Sequence, residues 1–334
     1  MAATGTTALA AEYATLAERC GLVDRSERGK LALTGAGAVE FLNGQATNEL
    51  LDLRCGEGRY AAFLTHKGKM LGDLRVLAVG GEPGGEPSEL LLDTERSALQ
   101  ALFDMIRRFK VGYDVELHKR TLECGLLSLI GPHSAEIAAS VFACAQGTLP
   151  EREHDHTLLQ QPGQGAHAVR LIATDVGFDV LCEADRTAQS QAALIDAGAE
   201  SVSEAAAEIV RVERGRPRYG IDLDETTIPQ EAGLNERAVS FTKGCYVGQE
   251  TVARLHYKGK PNRHLRGLRL SEPVEPGAAL SLGERPVGSL ASVVLSPAFG
   301  PIGLALVRRE AEPGATISVG ELGAEAVVVD LPFR

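Results

Sequence analysis

The residues best equipped for chemistry cluster in the stretch KGCYVGQE, residues 243–250. Cys245 stands between two glycines, with Lys243 in front and Gln249-Glu250 behind. A lysine and the basic run that follows favour the thiolate form, and Gly244 and Gly248 let the backbone approach a ligand closely. No histidine stands within a few residues to act as a base, although His256 could fold back. A lone cysteine can instead be a small buried hydrophobe, but this polar, glycine-flanked setting points to a reactive or ligand-contacting thiol. One thiol cannot hold an iron–sulfur cluster, so any cluster contact needs ligands from a partner.

Two carboxylates are the next candidates. In SVSEAAAEIVRVERG (201–215) the pattern Ser201-x-x-Glu204 reads as a capping box, and Val202, Ala206, Ile209 and Val210 mark an inward face. Glu213 continues that phase. A carboxylate on an apolar face costs several kcal/mol unless paired. Its partner could be Arg211, Arg214, Arg216 or Arg218, or a ligand with two adjacent N–H donors such as a pterin. Asp73 lies inside KMLGDLRVL and shares a face with Leu71 and Arg75 by alternation. That placement suits either a paired surface charge or a hydrogen bond to a ligand amine.

Other motifs carry less. TGAGAVEFLNG has a strand-G-x-G-helix outline, but Glu40 occupies the third position of a dinucleotide fingerprint, where close helix–strand packing needs Gly or Ala; a strand-to-helix turn is expected. His154 and His156 in EHDH could ligate a metal or lie in a solvated loop, and no further ligand cluster stands near them. RLHYKGKPNRHLRGLR (254–269) has six basic residues and no acid. It could be a solvated linker or could bind a polyanion such as RNA phosphates or a polyglutamate tail.

The whole composition limits these readings. The 334 residues imply two or three domains. Forty-five acidic and 34 basic residues give a net charge of −11, the wrong sign for a generic nucleic-acid binder. The N-terminal stretch lacks the basic region of a signal peptide and carries Glu12 and Glu18, and no apolar run reaches a membrane span, so a cytoplasmic protein is expected. Six cysteines with no C-x-x-C spacing predict no metal site.

Periodicity supplies the elements that must hold these residues. Residues 8–20 read as an amphipathic helix, 29–34 as a strand, and the segment after it as a short helix. Strands are predicted at 69–79 and 89–94, then a helix over 95–109. ECGLLSLIG, a helix from Pro132, the hairpin AHAVRLIATD/VGFDVLCEA and a helix over 186–197 ending at Gly198 give a ferredoxin-like order over 121–202. From Arg263 on, short strands broken by Gly and Pro predict a barrel or sandwich.

KGCYVGQE resembles the K-G-C-Y-x-G-Q-E signature of the YgfZ family, a branch of the GcvT aminomethyltransferase superfamily. The resemblance extends through CGLVDRSERGKLALTGAGAVEFLNGQATNEL, THKGKMLGDLRV, RVERGRPRYGIDLDETTIPQEAGL and VGSLASVVLSPAFGPIGLALV. It implies an α+β, three-domain cloverleaf around a tetrahydrofolate channel. Segments 1–120 and 203–262 would form the folate-binding domain, 121–202 an interleaved ferredoxin-like subdomain, and 263–334 a β-barrel. It implies Cys245 as the functional thiol, with Lys243 and Asp73 beside the chemistry. Glu213, Asp73, Arg254, Tyr246 and Gln249 would contact the folate. The implied function is an accessory factor for iron–sulfur cluster assembly or repair, with tRNA-thiolating enzymes among its clients. Two alternatives stand beside it: a one-carbon transferase of the glycine-cleavage T-protein type, and an RNA-contacting module. The transferases carry a pair of Asp residues where this chain has Gly72-Asp73, which weighs against aminomethyl transfer.

Overall fold

The computed structural model describes residues 2–162, 167–321 and 323–334, with side chains from residue 7 onward. The chain opens with helix α1 (Ala2–Glu18) and strands β1 (Gly21–Asp24) and β2 (Gly29–Thr34). Helix α2 (Ala38–Gln45), strands β3 (Gly58–Leu64), β4 (Met70–Val79) and β5 (Glu89–Thr94), helix α3 (Leu99–Phe109) and strand β6 (Glu116–Lys119) follow. The first sheet has five strands in the order β3-β4-β5-β2-β6. Its core joins the apolar faces of α2 and α3, through Phe41, Leu42, Leu102 and Ile106, to Leu31, Leu33, Leu74 and Val76. The glycine-rich turn before α2 is closed by Asp114, whose carbonyl accepts from the Gly37 amide at 3.0 Å. Gly35, at φ +102°, has room for no side chain there: a Cβ would lie 2.3 Å from that carbonyl oxygen.

The second unit runs β7 (Cys124–Ile130), α4 (Ser134–Val141), β8 (His156–Gln161), β9 (His167–Thr174), β10 (Gly177–Glu183), α5 (Thr187–Asp196) and β11 (Glu200–Ser201). Ala166, the first residue of the strand that opens the expected hairpin, lies outside the described residues. The sheet order is β11-β1-β7-β10-β9-β8, so β1 from the N-terminal segment is built into this second sheet. Gly198 follows α5 at φ +109°, as the predicted helix stop requires.

The two sheets face each other. Leu77 and Val79 of the first pack on Ile172 of the second, with Leu91 and Leu181 at the margin. Helices cover the other side of the first sheet, so nine of the ten residues of β4 are buried. Of the two placements the sequence left open for Asp73, the surface one does not hold: a near-continuous apolar run is what a strand covered on both faces shows, and Asp73 and Arg75 are interior charges.

Helix α6 (Glu204–Glu213) returns from the second sheet and packs on α1 and the barrel. Its N-cap is Ser203, whose hydroxyl accepts from the Ala206 amide. The expected box from Ser201 is thus displaced by two residues, because 200–201 are used in pairing with β1. Helices α7 (Asn235–Ala238) and α8 (Gln249–Lys258) lead to strands β12 (Arg263–Leu270), β13 (Ala279–Leu282), β14 (Arg285–Ser296), β15 (Gly300–Arg308), β16 (Thr316–Val319) and β17 (Ala324–Val329). These close a six-stranded barrel in the order β12-β15-β14-β13-β16-β17. The fold is α+β, with two α/β sheet domains and a C-terminal barrel.

Candidate functional site

Where the two sheets part, a cleft of about 210 Å³ opens. Asp73, Arg75 and Asp93 of the first sheet line one wall, and Ser128, Ile130, Thr174 and Asp179 of the second line the other. Arg216, Pro217 and Arg237 close it from the later chain.

Asp73 is buried, at 6% exposure. The Tyr60 hydroxyl donates to its Oδ2 at 2.6 Å, while Oδ1 has no hydrogen-bond partner among the described residues. Burial pushes its pKa up to about 6, the Tyr60 bond and Arg28 pull the other way, and Glu95 and Asp93 push with the burial. Asp73 can therefore take either protonation state near neutrality. Arg237 lies over the Tyr60 ring at 5.1 Å from the centroid.

Deeper in, an ion network joins the sheets. Arg75 reaches Asp179 at 2.7 Å and Asp93 at 2.9 Å. Arg28 holds Asp93 at 2.9 Å and also pairs with Glu95. Ser128 donates to Asp179 at 2.6 Å. Burial alone would raise Asp93, but Arg28 and Arg75 outweigh it and hold its carboxyl below the usual range. The Nε of Arg75 and the Nδ1 of His154 are buried here without a partner among the described residues.

The histidines of EHDH are not in a solvated loop. His156 opens β8 and is buried, with Arg170 at 2.9 Å from its Nδ1. His154 packs over Tyr60, ring centroids 6.0 Å apart, at φ +77°. Burial, with nearby arginines, pushes both down to about 3, so both are neutral. No group of three His, Cys, Asp or Glu side chains suited to a metal occurs among the described residues.

Glu213 ends α6 beside a neighbouring cleft of about 400 Å³, which shares Ile130, Asp175 and Val176 with the first. Its carboxylate is not paired with any of the four arginines. Ser296 donates to Oε1 at 2.5 Å and Tyr13 to Oε2 at 3.1 Å. Each oxygen keeps a second lone pair, so a ligand with two N–H donors can add to these bonds or displace the longer, weaker Tyr13 contact.

The KGCYVGQE residues form a separate unit that does not line the Asp73 cleft. Cys245 is exposed. Lys243 is buried and donates to the carbonyls of Asn43 at 2.8 Å, Ala46 at 2.9 Å and Asn48 at 2.5 Å. Burial pulls its pKa down to about 8, while the three carbonyls at the C-terminal end of α2 hold the ammonium in place. Tyr246 is buried in a core with Leu64, Met70 and Val252, and burial raises its hydroxyl to about 12. Gln249 donates to the Gly244 carbonyl at 3.3 Å. Arg254 is exposed on α8. Lys243 and Tyr246 thus anchor the loop, and Cys245 is the part it presents. Sequence reasoning did not single out Tyr60, Arg237 or Asp179, and named Arg75 only as a face-mate of Asp73. They come from segments far apart in the chain, and only the facing of the two sheets brings them together.

Comparison with known proteins agrees with this architecture. Residues 3–243 match the family described as the GCVT N-terminal domain, and residues 263–334 match the glycine cleavage T-protein C-terminal barrel domain. The chain belongs to the GCVT family. It is 27% identical to an aminomethyltransferase of Halothermothrix orenii, over 98% of this chain and 92% of that one. It is 28% identical to a chloroplastic candidate transferase of Arabidopsis thaliana, over 93% of this chain and 71% of the relative. The crystal structure of aminomethyltransferase T from Bartonella henselae superposes with a TM-score of 0.85 at 23% identity, covering 98% and 89% of the two chains. Among the described residues no helix is long and apolar enough to cross a membrane.

Proposed function

We propose that this chain binds a tetrahydrofolate in the two joined clefts and serves, through Cys245, in iron–sulfur cluster assembly or repair for enzymes such as those that thiolate tRNA. The observation that carries this reading is an exposed thiol held on a loop that buried Lys243 clamps, outside the folate clefts. A thiol placed there is suited to meeting a partner's sulfur or cluster rather than a bound small molecule. The clefts fit a pterin by their donor set. Asp73 offers an open carboxyl oxygen, Glu213 a displaceable one, and Arg75 and His154 carry unpartnered nitrogens. Bound folate would supply a pterin face and a carboxylate tail, or a carrier for a one-carbon unit.

A second reading, aminomethyl or one-carbon transfer of the T-protein type, has its own support. Relatives such as that of Halothermothrix orenii are named aminomethyltransferases, and the comparisons back this reading better than the first. Against it stands residue 72. A Cβ on Gly72 would lie 2.6 Å from the Ala98 Cβ and 2.7 Å from the Phe63 ring. The packing therefore leaves no space for a second carboxylate beside Asp73.

One experiment separates the readings. A host lacking the gene is complemented with wild type, Cys245→Ala or Asp73→Asn at matched levels. Activity of an iron–sulfur-dependent tRNA-thiolating enzyme is measured, and methylene transfer to tetrahydrofolate is assayed on each purified protein. The first reading expects Cys245→Ala alone to lose rescue, with no transfer by any form. Transfer by wild type that Asp73→Asn abolishes, with full rescue by Cys245→Ala, would replace it with the second.

A further inference from the structure

A cleft of about 510 Å³ lies between the barrel and the β3–β4 turn, sharing no lining residue with the Asp73 cleft. Lys69, Arg263, Arg285, Arg308 and Arg309 line it, with only Glu231 and Glu310 of opposite sign. Its formal charge is 5 − 2 = +3, in a chain of net −11. Both carboxylates are already engaged. Glu231 accepts from Nε and Nη2 of Arg263 at 3.1 and 2.9 Å, and Glu310 pairs with Arg285 at 3.0 Å. Lys69 and Arg263 converge on one acceptor, the Thr226 carbonyl, at 2.5 and 3.0 Å. Arg308 and Arg309 make no ion pair among the described residues.

The sheet register makes this arrangement costly. Arg263 and Arg308 are direct cross-strand partners on β12 and β15. Like charges placed opposite each other destabilise an antiparallel pair. Glu231 compensates Arg263 directly, whereas the exposed Arg308 and Arg309 act on Glu310 only through space, its direct partner being Arg285. A bound polyanion would compensate them more fully.

We propose that this barrel-side cleft binds a compact ligand carrying two or more phosphate groups. Arginine forks pair bidentately with phosphate oxygens. A single monoanion would leave most of the charge uncompensated. No aromatic side chain lines the cleft, so the site reads phosphates rather than a base, and its concave form suits a compact oligophosphate better than an extended backbone.

Calorimetry on the full chain at low salt, with tripolyphosphate as probe, tests this. One site is expected, at least tenfold tighter than for orthophosphate, weakening as salt rises. Arg308→Ser and Arg309→Ser should each weaken it at least fivefold, while Arg107→Ser, at an exposed position of α3, should leave it unchanged. Arg308→Ser should also melt no lower than wild type without ligand, because it removes the like-charge pair; that separates lost binding from lost folding. No saturable binding, or equal affinity for orthophosphate, would overturn the proposal. So would a single-stranded RNA oligonucleotide that binds more tightly than tripolyphosphate and loses as much affinity in Arg308→Ser, since the cleft would then serve a nucleic-acid backbone.

Discussion

Asp73 is a carboxyl group kept largely out of water, and its behaviour can be read from that alone. Its pKa rises from 3.8 to about 6 on folding. The folded state therefore binds a proton more tightly than the unfolded one. The stability this contributes is present below about pH 4 and lost as pH rises through about 6. Asp73→Asn keeps an acceptor for Tyr60 and cannot ionise. Between pH 4 and 7 the wild type should lose up to about 3 kcal/mol relative to the variant, measured by urea unfolding across that range. Parallel pH curves for the two proteins would mean Asp73 is not strained by burial. Tyr60→Phe tests the same site from the other side. The hydroxyl favours the carboxylate, so its removal should move the Asp73 titration above about 6, read by carbon NMR of the carboxyl; a downward move would contradict the assignment. At this scale the sequence singled out Asp73 but left open whether it was a surface charge. Nothing in KMLGDLRVL reveals that a second sheet covers that face.

The elements around Cys245 show why a loop can be rigid. Gly248 caps α8 at φ +85°, and a Cβ there would lie 2.6 Å from the Thr65 carbonyl. Gly248→Ala combines left-handed strain with that collision, so it should cost at least roughly 1–3 kcal/mol in a thermal or urea melt; a variant as stable as wild type would show that the turn can relax. Lys243→Met strands three carbonyls that share one ammonium, and should cost about 2–3 kcal/mol. It should also speed hydrogen exchange at the Val247 amide, which donates to the Gly44 carbonyl, while leaving the amides of β4 protected. Unchanged exchange at Val247 would remove Lys243 as the clamp. The sequence pattern exposed β2, β4, β5, β7, β9, β10, the α5 stop at Gly198 and the barrel strands, because alternation and glycine punctuation are local properties; it missed β1, β3, β6 and β8. It placed the α6 cap two residues early and took EHDH for a possible solvated loop. Both errors have one source: pairing with distant strands decides which residues are free to cap or to face water. Lys243 looked like a thiolate-promoting neighbour for the same reason, since its three acceptors lie about two hundred residues away.

At the scale of the molecule, the clefts exist only while the two sheets keep their spacing, and Arg75 is the group that bridges them. It rises from β4, pairs with Asp93 of its own sheet, and crosses to Asp179 of the other. All three side chains are buried. Isolated burial of such charges is unfavourable, and replacing the whole set with apolar groups can be neutral. Removing one partner is different, because the charges left behind have no water to turn to. In Arg75→Met, Arg28 still compensates Asp93, but among the described residues Asp179 keeps only the Ser128 hydroxyl as a direct partner, with Arg28 acting on it from further off. The expected cost is about 3–5 kcal/mol. Adding Asp179→Asn should recover part of it by removing the orphaned charge, and a double-mutant cycle in urea measures that coupling. Because Arg75 also lines the Asp73 cleft, Arg75→Met should weaken tetrahydrofolate binding as well as stability, and the double variant should regain stability without regaining the ligand. Full recovery of both would show that Arg75 acts only as a strut between the sheets. Recovery of neither would show that Asp179 is not the charge Arg75 exists to balance.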